Sequence, residues 1–316
     1  MELFSPGSLG TCWYGKYHYL EPWIGCSHNC PYCYAKNRRI VNESLQAQGA
    51  AFSDPELFMP EPELLRQISE TAGSGQIQRV KLSRYTDILV PKFVENGLSY
   101  KILEILAKSP VERTIITTKG KPDENILGLF AKYPEKFSYN FACRPTSVRP
   151  GSVLASFDKC LYPLNDRLEA AARAQESGVK VTIHLDPIIA GIDDDAEMLG
   201  EFLSLLKELG LQRVMWSYLL FSPGIMDDME KALGKELLQD ILARYNMEGA
   251  RKVLPGQEDT ISFAQKNDVA LESVEKIASA LMAGGFEFVL CSLKSIKGLN
   301  LSKYPRNMLC DGTFYA

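Results

Sequence analysis

"WIGCSHNCPYCYAKNR", Trp23 to Arg38, holds Cys26, Cys30 and Cys33 within eight positions, with Pro31 and Tyr32 among them and Tyr34 directly after. Three close cysteines are odd in number for disulfides and one short of a closed structural zinc site. A C-x3-C-x2-C loop can reach three corners of a cubane iron–sulfur cluster, whose soft irons take thiolates. One iron then keeps an open position, as a catalytic zinc with three protein ligands does, and an amine with a carboxylate could chelate there. What such a loop can do depends on the fold that carries it.

Just before the loop, Tyr19 to Ile24 reads as a short strand. Six more apolar, β-branched or aromatic runs follow: "RVKLS" (79–83), "RTIITT" (113–118), "KFSYNFAC" (136–143), "VKVTIHL" (179–185), "RVMWSYL" (213–219) and "FEFVLC" (286–291). Runs of this kind suit buried parallel strands. Helical stripes lie between them, as at Leu98, Ile102, Ile105 and Leu106, and at Met198, Phe202, Leu205 and Leu209, with Gly210 as a stop signal. Asp193 to Asp195 read as a helix N-terminus rather than a metal site, because Asp194 and Glu197 have capping-box spacing. Alternating strands and helices imply an α/β fold, a parallel (β/α) barrel, complete or open, with N- and C-terminal extensions. Functional residues belong at the carboxyl ends of such strands. That gathers the cysteine loop, Ser83 to Asp87, Thr117 to Lys119, Cys143 and Arg144, His184 to Asp186, and Trp216 with Ser217 around one mouth.

The 316 residues, 46% hydrophobic and 23% charged, have the composition of a soluble globular protein. A net charge of −4 argues against a protein whose main task is gripping nucleic acid, although a local basic groove would still permit it. "KNRR" (36–39) reads as a solvated helix face. No apolar run has membrane-spanning length, and the first residues lack a signal-peptide pattern, so a cytoplasmic protein is expected. In that compartment eight cysteines are thiols or metal ligands rather than a disulfide framework.

"CSHNCPYC" resembles the signature of the radical S-adenosylmethionine (radical SAM) enzymes, with Tyr32 as the aromatic before the last cysteine. The resemblance implies a partial (β/α)6 core with a [4Fe–4S] cluster on Cys26, Cys30 and Cys33. SAM would occupy the open iron, and its reductive cleavage would yield a 5′-deoxyadenosyl radical that abstracts hydrogen from substrate. An electron donor such as flavodoxin or ferredoxin is implied. "PWIGCSHNCPYCYA" (22–35), "SRYTDILVPKF" (83–93), "TIITTKG" (114–120) and residues 156–194 further resemble the spore photoproduct lyase branch. That resemblance places Tyr32 by the adenine, and Ser83, Arg84, Thr86 and Asp87 where the methionine amine is held. It makes Thr118, Asn140, Arg144, His184 and Asp186 candidates for the remaining SAM contacts. Arg144 has a second reading, as a barrel-mouth arginine paired with a carboxylate. Spore photoproduct lyase keeps a hydrogen-donating cysteine where Arg84 stands here, which shifts the expectation from nucleic-acid repair to a small metabolite, nucleotide or peptide substrate. Cys143, at the end of the fourth strand, is a candidate thiol for the mouth, against its reading as a buried hydrophobe.

Cys12, Cys160, Cys291 and Cys310 lack the tight pairs of an auxiliary cluster. His28 reads as a loop residue shielding the cluster site, "CWYGKYHY" (12–19) as an N-terminal plug, and the aromatic tail "YPRNMLCDGTFYA" (304–316) as a closure of the barrel. The expected layout is an extension over 1–18, a core over 19–220, and helices, last strand and tail over 221–316. Two other readings of the three cysteines, a zinc-stabilised binding module and an electron-transferring iron–sulfur protein, each need a fourth ligand.

Overall fold

All seven expected strands form in the computed structural model, which describes residues 1–7, 17–149, 151–157, 161–252, 258–291, 296–305 and 308–314. In chain order the first elements are β1 (Phe4–Pro6), β2 (His18–Leu20), α1 (Arg39–Gln48), α2 (Glu61–Gly73), β3 (Arg79–Leu82), α3 (Pro91–Glu95), α4 (Leu98–Lys108), β4 (Arg113–Thr118), α5 (Glu124–Lys132) and β5 (Phe137–Cys143). There follow α6 (Val153–Ser156), α7 (Leu164–Glu176), β6 (Lys180–Ile188), α8 (Ala196–Glu208), β7 (Arg213–Tyr218), α9 (Met226–Leu233), α10 (Lys235–Leu242), β8 (Arg251–Lys252), β9 (Ile261–Ser262), α11 (Asn267–Gly284) and β10 (Glu287–Leu290).

One sheet runs in the order β1-β2-β3-β4-β5-β6-β7-β10, parallel from β2 to β10, with β1 antiparallel on β2. No pairing among the described residues joins its two ends. Tyr19 of β2 and Val289 of β10 nevertheless share one buried cluster with Ile115 and Met215. Side chains from opposite ends of a sheet meet only when the sheet curls. Strand alternation then sorts each strand into an interior row and an outer row. The outer row, including Val80, Ile116, Phe141, Ile183 and Val214, packs on helix residues such as Ile102, Phe130 and Phe202.

Departures from the expected boundaries have local causes. The first strand stops at Leu20, because Pro22 has no N–H to donate, and Ile24 makes only an isolated bridge to Glu56. β6 runs on to Ile188 across a register shift after Leu185, and Pro187 sits in that irregularity. β1, β8 and β9 were not expected from sequence, since two or three residues are too few to show a period of two. The acidic run before α8 does cap a helix, but the capping residue is Asp195, which accepts from Met198 N at 3.0 Å. Asp194 turns back to Gly191 N instead. Gly210 follows α8 in the left-handed conformation, as its stop signal requires. Among the described residues, no helix is long and apolar enough to cross a membrane.

A buried ion pair fastens the end of β5 to the loop after β6. Arg144 and Asp193 have no exposed side-chain surface, with 2.7 Å between guanidinium and carboxylate. Asp193 also accepts from Ile189 N at 2.7 Å and Thr146 Oγ1 at 3.2 Å, while the Arg144 guanidinium lies 4.6 Å from the Phe157 ring. Burial pushes the Asp193 carboxyl above its ordinary pKa despite the opposing Arg144 charge. Removing one partner of a buried pair leaves the other charge uncompensated, at a cost of about 3–5 kcal/mol. Arg144→Ala is expected to lose stability of that order in urea denaturation, and the double variant Arg144→Met, Asp193→Leu to recover much of it.

Candidate active site

The cysteine loop is held by its flanks. Trp23, fully buried, packs on Phe93 with ring centroids 4.1 Å apart. Gly25 has φ +83°, and a Cβ there would lie 2.6 Å from the Phe52 carbonyl, so only glycine fits. Cys26 N donates to that same carbonyl, and turns close from Asn29 N to Cys26 O and from Cys33 N to Cys30 O. Asn29 takes the left-handed φ of +47° that asparagine tolerates.

A cavity of about 420 Å³ lies at the carboxyl ends of the strands, and Cys26, Cys30 and Cys33 are all on its wall. Burial pushes the Cys26 thiol well up, and the charges of Asp87, Cys33 and Cys30 add to this. Burial also raises Cys33, against hydrogen bonds from the Ala35 and Lys36 amides and the Lys36 and Lys119 charges. By itself the loop favours neutral thiols, whereas a bound cation deprotonates a coordinating thiol. Among the described residues no three His, Cys, Asp or Glu side chains converge closely enough to share one ion. Three thiols on one cavity wall supply the three-cysteine donor set that a cubane cluster with one open iron takes.

The segment after β3 is stitched to the cysteine loop. Ser83 Oγ donates to Leu20 O at 3.0 Å, Thr86 Oγ1 to Gly25 O at 2.5 Å, and the Tyr34 hydroxyl to Arg84 O at 2.5 Å. Asp87 is buried and receives Thr118 Oγ1 at 2.7 Å, Leu89 N at 2.8 Å and Lys119 N at 2.8 Å. His28 Nε2 stands 3.3 Å from the same carboxylate. Burial pushes the Asp87 carboxyl up, but His28 and the other donors outweigh it and hold it below its ordinary pKa. His28 is thus a buried tie between the cysteine loop and Asp87.

Of the remaining expected contacts, Tyr32, Ser83, Arg84, Thr86, Asp87, Thr118, His184 and Asp186 line the cavity. Asp186 accepts from the Ser217 hydroxyl and lies 3.8 Å from His184 Nε2. Asn140, Arg144 and Cys143 are off the wall. Asn140 points inward but deeper, donating to Ile116 O at 3.0 Å, and Arg144 is committed to Asp193. Cys143 falls on the outer row of β5, in the main core, where the residue before it, Ala142, faces the cavity. The thiol that does reach the wall beyond the cysteine loop is Cys291, after β10.

Several wall residues carried no sequence signal. Lys81 and Met215 follow from strand parity with Ser83 and Ser217, but Leu219, Leu220, Ser222, Ile225 and residues 259–262 belong to no motif. They reach over the mouth and grip "KNRR", which corrects the solvated-face reading of that stretch. Lys36 pairs with Asp228 at 2.8 Å, and Arg38, mostly buried, donates to Asp259 O at 2.9 Å and lies over the Tyr34 ring. Only the Arg39 side chain is solvated. Cys12 and Cys160 lie outside the described residues, as does part of the expected N-terminal plug; Tyr17 and Tyr19 of that plug pack inside the barrel. The tail closes the floor, with Phe314 packed against Arg213.

A curled parallel sheet that feeds its first strand into a three-thiol loop on the wall of a strand-end cavity has the donor set of an iron–sulfur enzyme. The family model of the Radical SAM superfamily matches residues 20–206, more than half of the chain, and the chain belongs to that superfamily. It is therefore an enzyme whose family uses a [4Fe–4S] cluster and SAM and needs a reductant. Uncharacterized protein ORF301 of Acidianus two-tailed virus is 23% identical over 255 residues, 72% of this chain and 79% of that protein. Among solved structures, a cysteine-to-serine variant of spore photoproduct lyase matches with a TM-score of 0.63 at 14% identity, over 92% of this chain and 79% of that one. A cysteine-to-alanine variant of the same enzyme, with dinucleoside spore photoproduct, gives 0.61 at 14%, over 91% and 78%. These likenesses are of fold.

Beneath the β3 segment lies Glu21, a carboxylate the sequence did not single out, although an acid directly after a buried strand is unusual. It is buried and accepts from the backbone amides of Arg84 and Tyr85. Burial raises its pKa to about 8, against those two amides and the Arg84 charge. A carboxyl raised on folding holds its proton in the folded state while the unfolded chain has lost its own, so stability falls as pH rises from about 4.5 to about 8. The largest possible effect is about 5 kcal/mol. Glu21→Gln is expected to flatten this decline when urea midpoints are followed over that pH range.

Proposed function

We propose that this enzyme cleaves SAM reductively at a cluster on Cys26, Cys30 and Cys33 and abstracts hydrogen from a small metabolite, nucleotide or peptide. The observation that carries the reading is the convergence of the three thiols, Tyr32 and the Asp87-anchored segment on one cavity. When bound, the cluster and SAM supply the electron and the 5′-deoxyadenosyl radical, while the chain supplies ligation, orientation and a sheltered space. Tyr32 offers a flat face for the adenine. Ser83 to Thr86, held by Leu20 O, Gly25 O and Glu21, present the carbonyls and hydroxyl that receive the methionine ammonium. Asp87 acts here by fixing that segment through its own donors. Lys119, on the wall with Nζ 5.4 Å over the Tyr32 ring, is the cation we assign to the SAM carboxylate in place of Arg144. His184 and Asp186 flank the ribose. Flavodoxin or ferredoxin serves as the electron donor.

The spore photoproduct reaction is not carried over, because the position resembling that enzyme's donor cysteine is Arg84. Anaerobic reconstitution with iron and sulfide, followed by dithionite and SAM, is expected to give a brown protein that forms 5′-deoxyadenosine. Alanine at Cys26, Cys30 and Cys33 together is expected to abolish both colour and product. A colourless protein with stoichiometric zinc, or product that persists in the triple variant, overturns the reading. Deuterium passing from a candidate substrate into 5′-deoxyadenosine identifies what the radical attacks.

A further inference from the structure

The tail brings a second cysteine beside the one on the cavity wall. Leu290 N donates to Met308 O at 2.7 Å, and Cys310 N donates to Leu290 O at 2.9 Å, so the tail runs parallel to β10 with Leu290 opposite Leu309. The next pair in that register is Cys291 and Cys310. Residues opposite each other on parallel neighbours point to the same face. Packing agrees, because Leu290 and Leu309 contact the outer core, whereas Cys291 and Cys310 both lie in the interior cluster with Tyr17, Tyr19 and Val289. Adjacent strands stand about 4.7–4.9 Å apart. That is inside the Cα separation of about 4.4–6.8 Å that a disulfide spans. Both cysteines are buried, at 6% and 5% exposure, but Cys291 lines the cavity, which gives small solutes a route to the pair.

We propose that Cys291 and Cys310 form a redox-active dithiol that exchanges, through the cavity, with low-molecular-weight disulfides. The Cys291 thiolate attacks one sulfur of the small disulfide, forming a mixed disulfide and expelling one small thiolate. The Cys310 thiolate then attacks the Cys291 sulfur, closing the protein disulfide and expelling the second. The two protons lost by the cysteines go to the two small thiolates, so two protein thiols and one disulfide become one protein disulfide and two thiols. The reduced pair keeps an S–H group on the cavity wall; the oxidised pair removes it and fastens residues 308–314 to β10. The exchange itself does not depend on the SAM reading; its test takes from that reading only the cluster, whose presence is checked separately by colour and iron content.

The test uses the full chain with its cluster reconstituted, so that Cys26, Cys30 and Cys33 are ligated. It is treated anaerobically with cystamine, then denatured, alkylated and peptide-mapped. The expected result is loss of alkylation at Cys291 and Cys310 together, with a peptide linking them that disappears in dithiothreitol, while Cys143 in the outer core stays alkylated. Cys310→Ser is expected to stop at a cysteamine adduct on Cys291, and Cys291→Ser to leave Cys310 alkylated. Both cysteines alkylated as free thiols after cystamine, or Cys310 linked to another cysteine, overturns the proposal.

Discussion

The Asp87 carboxylate is the point on which the mouth of this barrel depends. One buried group receives Thr118 Oγ1 and Lys119 N from the end of β4 and Leu89 N from its own loop, with His28 of the cysteine loop at its side. Three segments far apart in sequence are registered against each other through two oxygens. A buried carboxylate is costly unless its lone pairs are met, and here hydrogen bonding wins over burial, as its lowered pKa records. Glu21, a few residues before the cysteines, shows the opposite balance. It has only two amide donors, so burial wins and the group favours its neutral form up to about pH 8.

Strand parity then decides which residues reach the cavity. Ala142 faces the cavity, so its neighbour Cys143 must face the helices, and Arg144 leaves the strand towards Asp193. Being at the carboxyl end of a barrel strand is necessary for a site residue but not sufficient. The same alternation brings Lys81, Met215 and Cys291 to the interior without any motif to announce them.

The sheet was legible in the sequence because buried parallel strands are apolar runs of five to seven residues, long enough to stand out between helical stripes. The cysteine loop was legible because three thiols at so tight a spacing stand out, and the "SRYTD" segment through its family resemblance alone. Arg144 and Cys143 each had two readings, and the structure sides with Arg144 paired to a carboxylate and Cys143 as a buried hydrophobe. Sequence could not decide, because the facing of the last strand residue and the identity of a partner forty-nine positions away, Asp193, are not visible in it. Glu21 was passed over for the same reason, since the amides of Arg84 and Tyr85 that hold it belong to another segment. The pairing of the tail with β10 rests on two backbone hydrogen bonds and left no pattern at all.

What covers the cavity comes from the least patterned part of the chain. Leu219, Leu220, Ser222 and residues 259–262 line it, and Asp228 and Asp259 reach Lys36, Arg38 and Arg39 at the foot of the cysteine loop. The cysteine loop therefore touches this cover through basic residues on its own C-terminal flank. A change in this cover alters the space above the thiols without altering a ligand, whereas a change at Asp87 or Gly25 alters the ligands themselves. The motif-bearing half of the mouth and the half contributed between β7 and β10 are thus separate parts of one cavity wall. Two proteins can share the first half at low identity and differ wholly in what they act on.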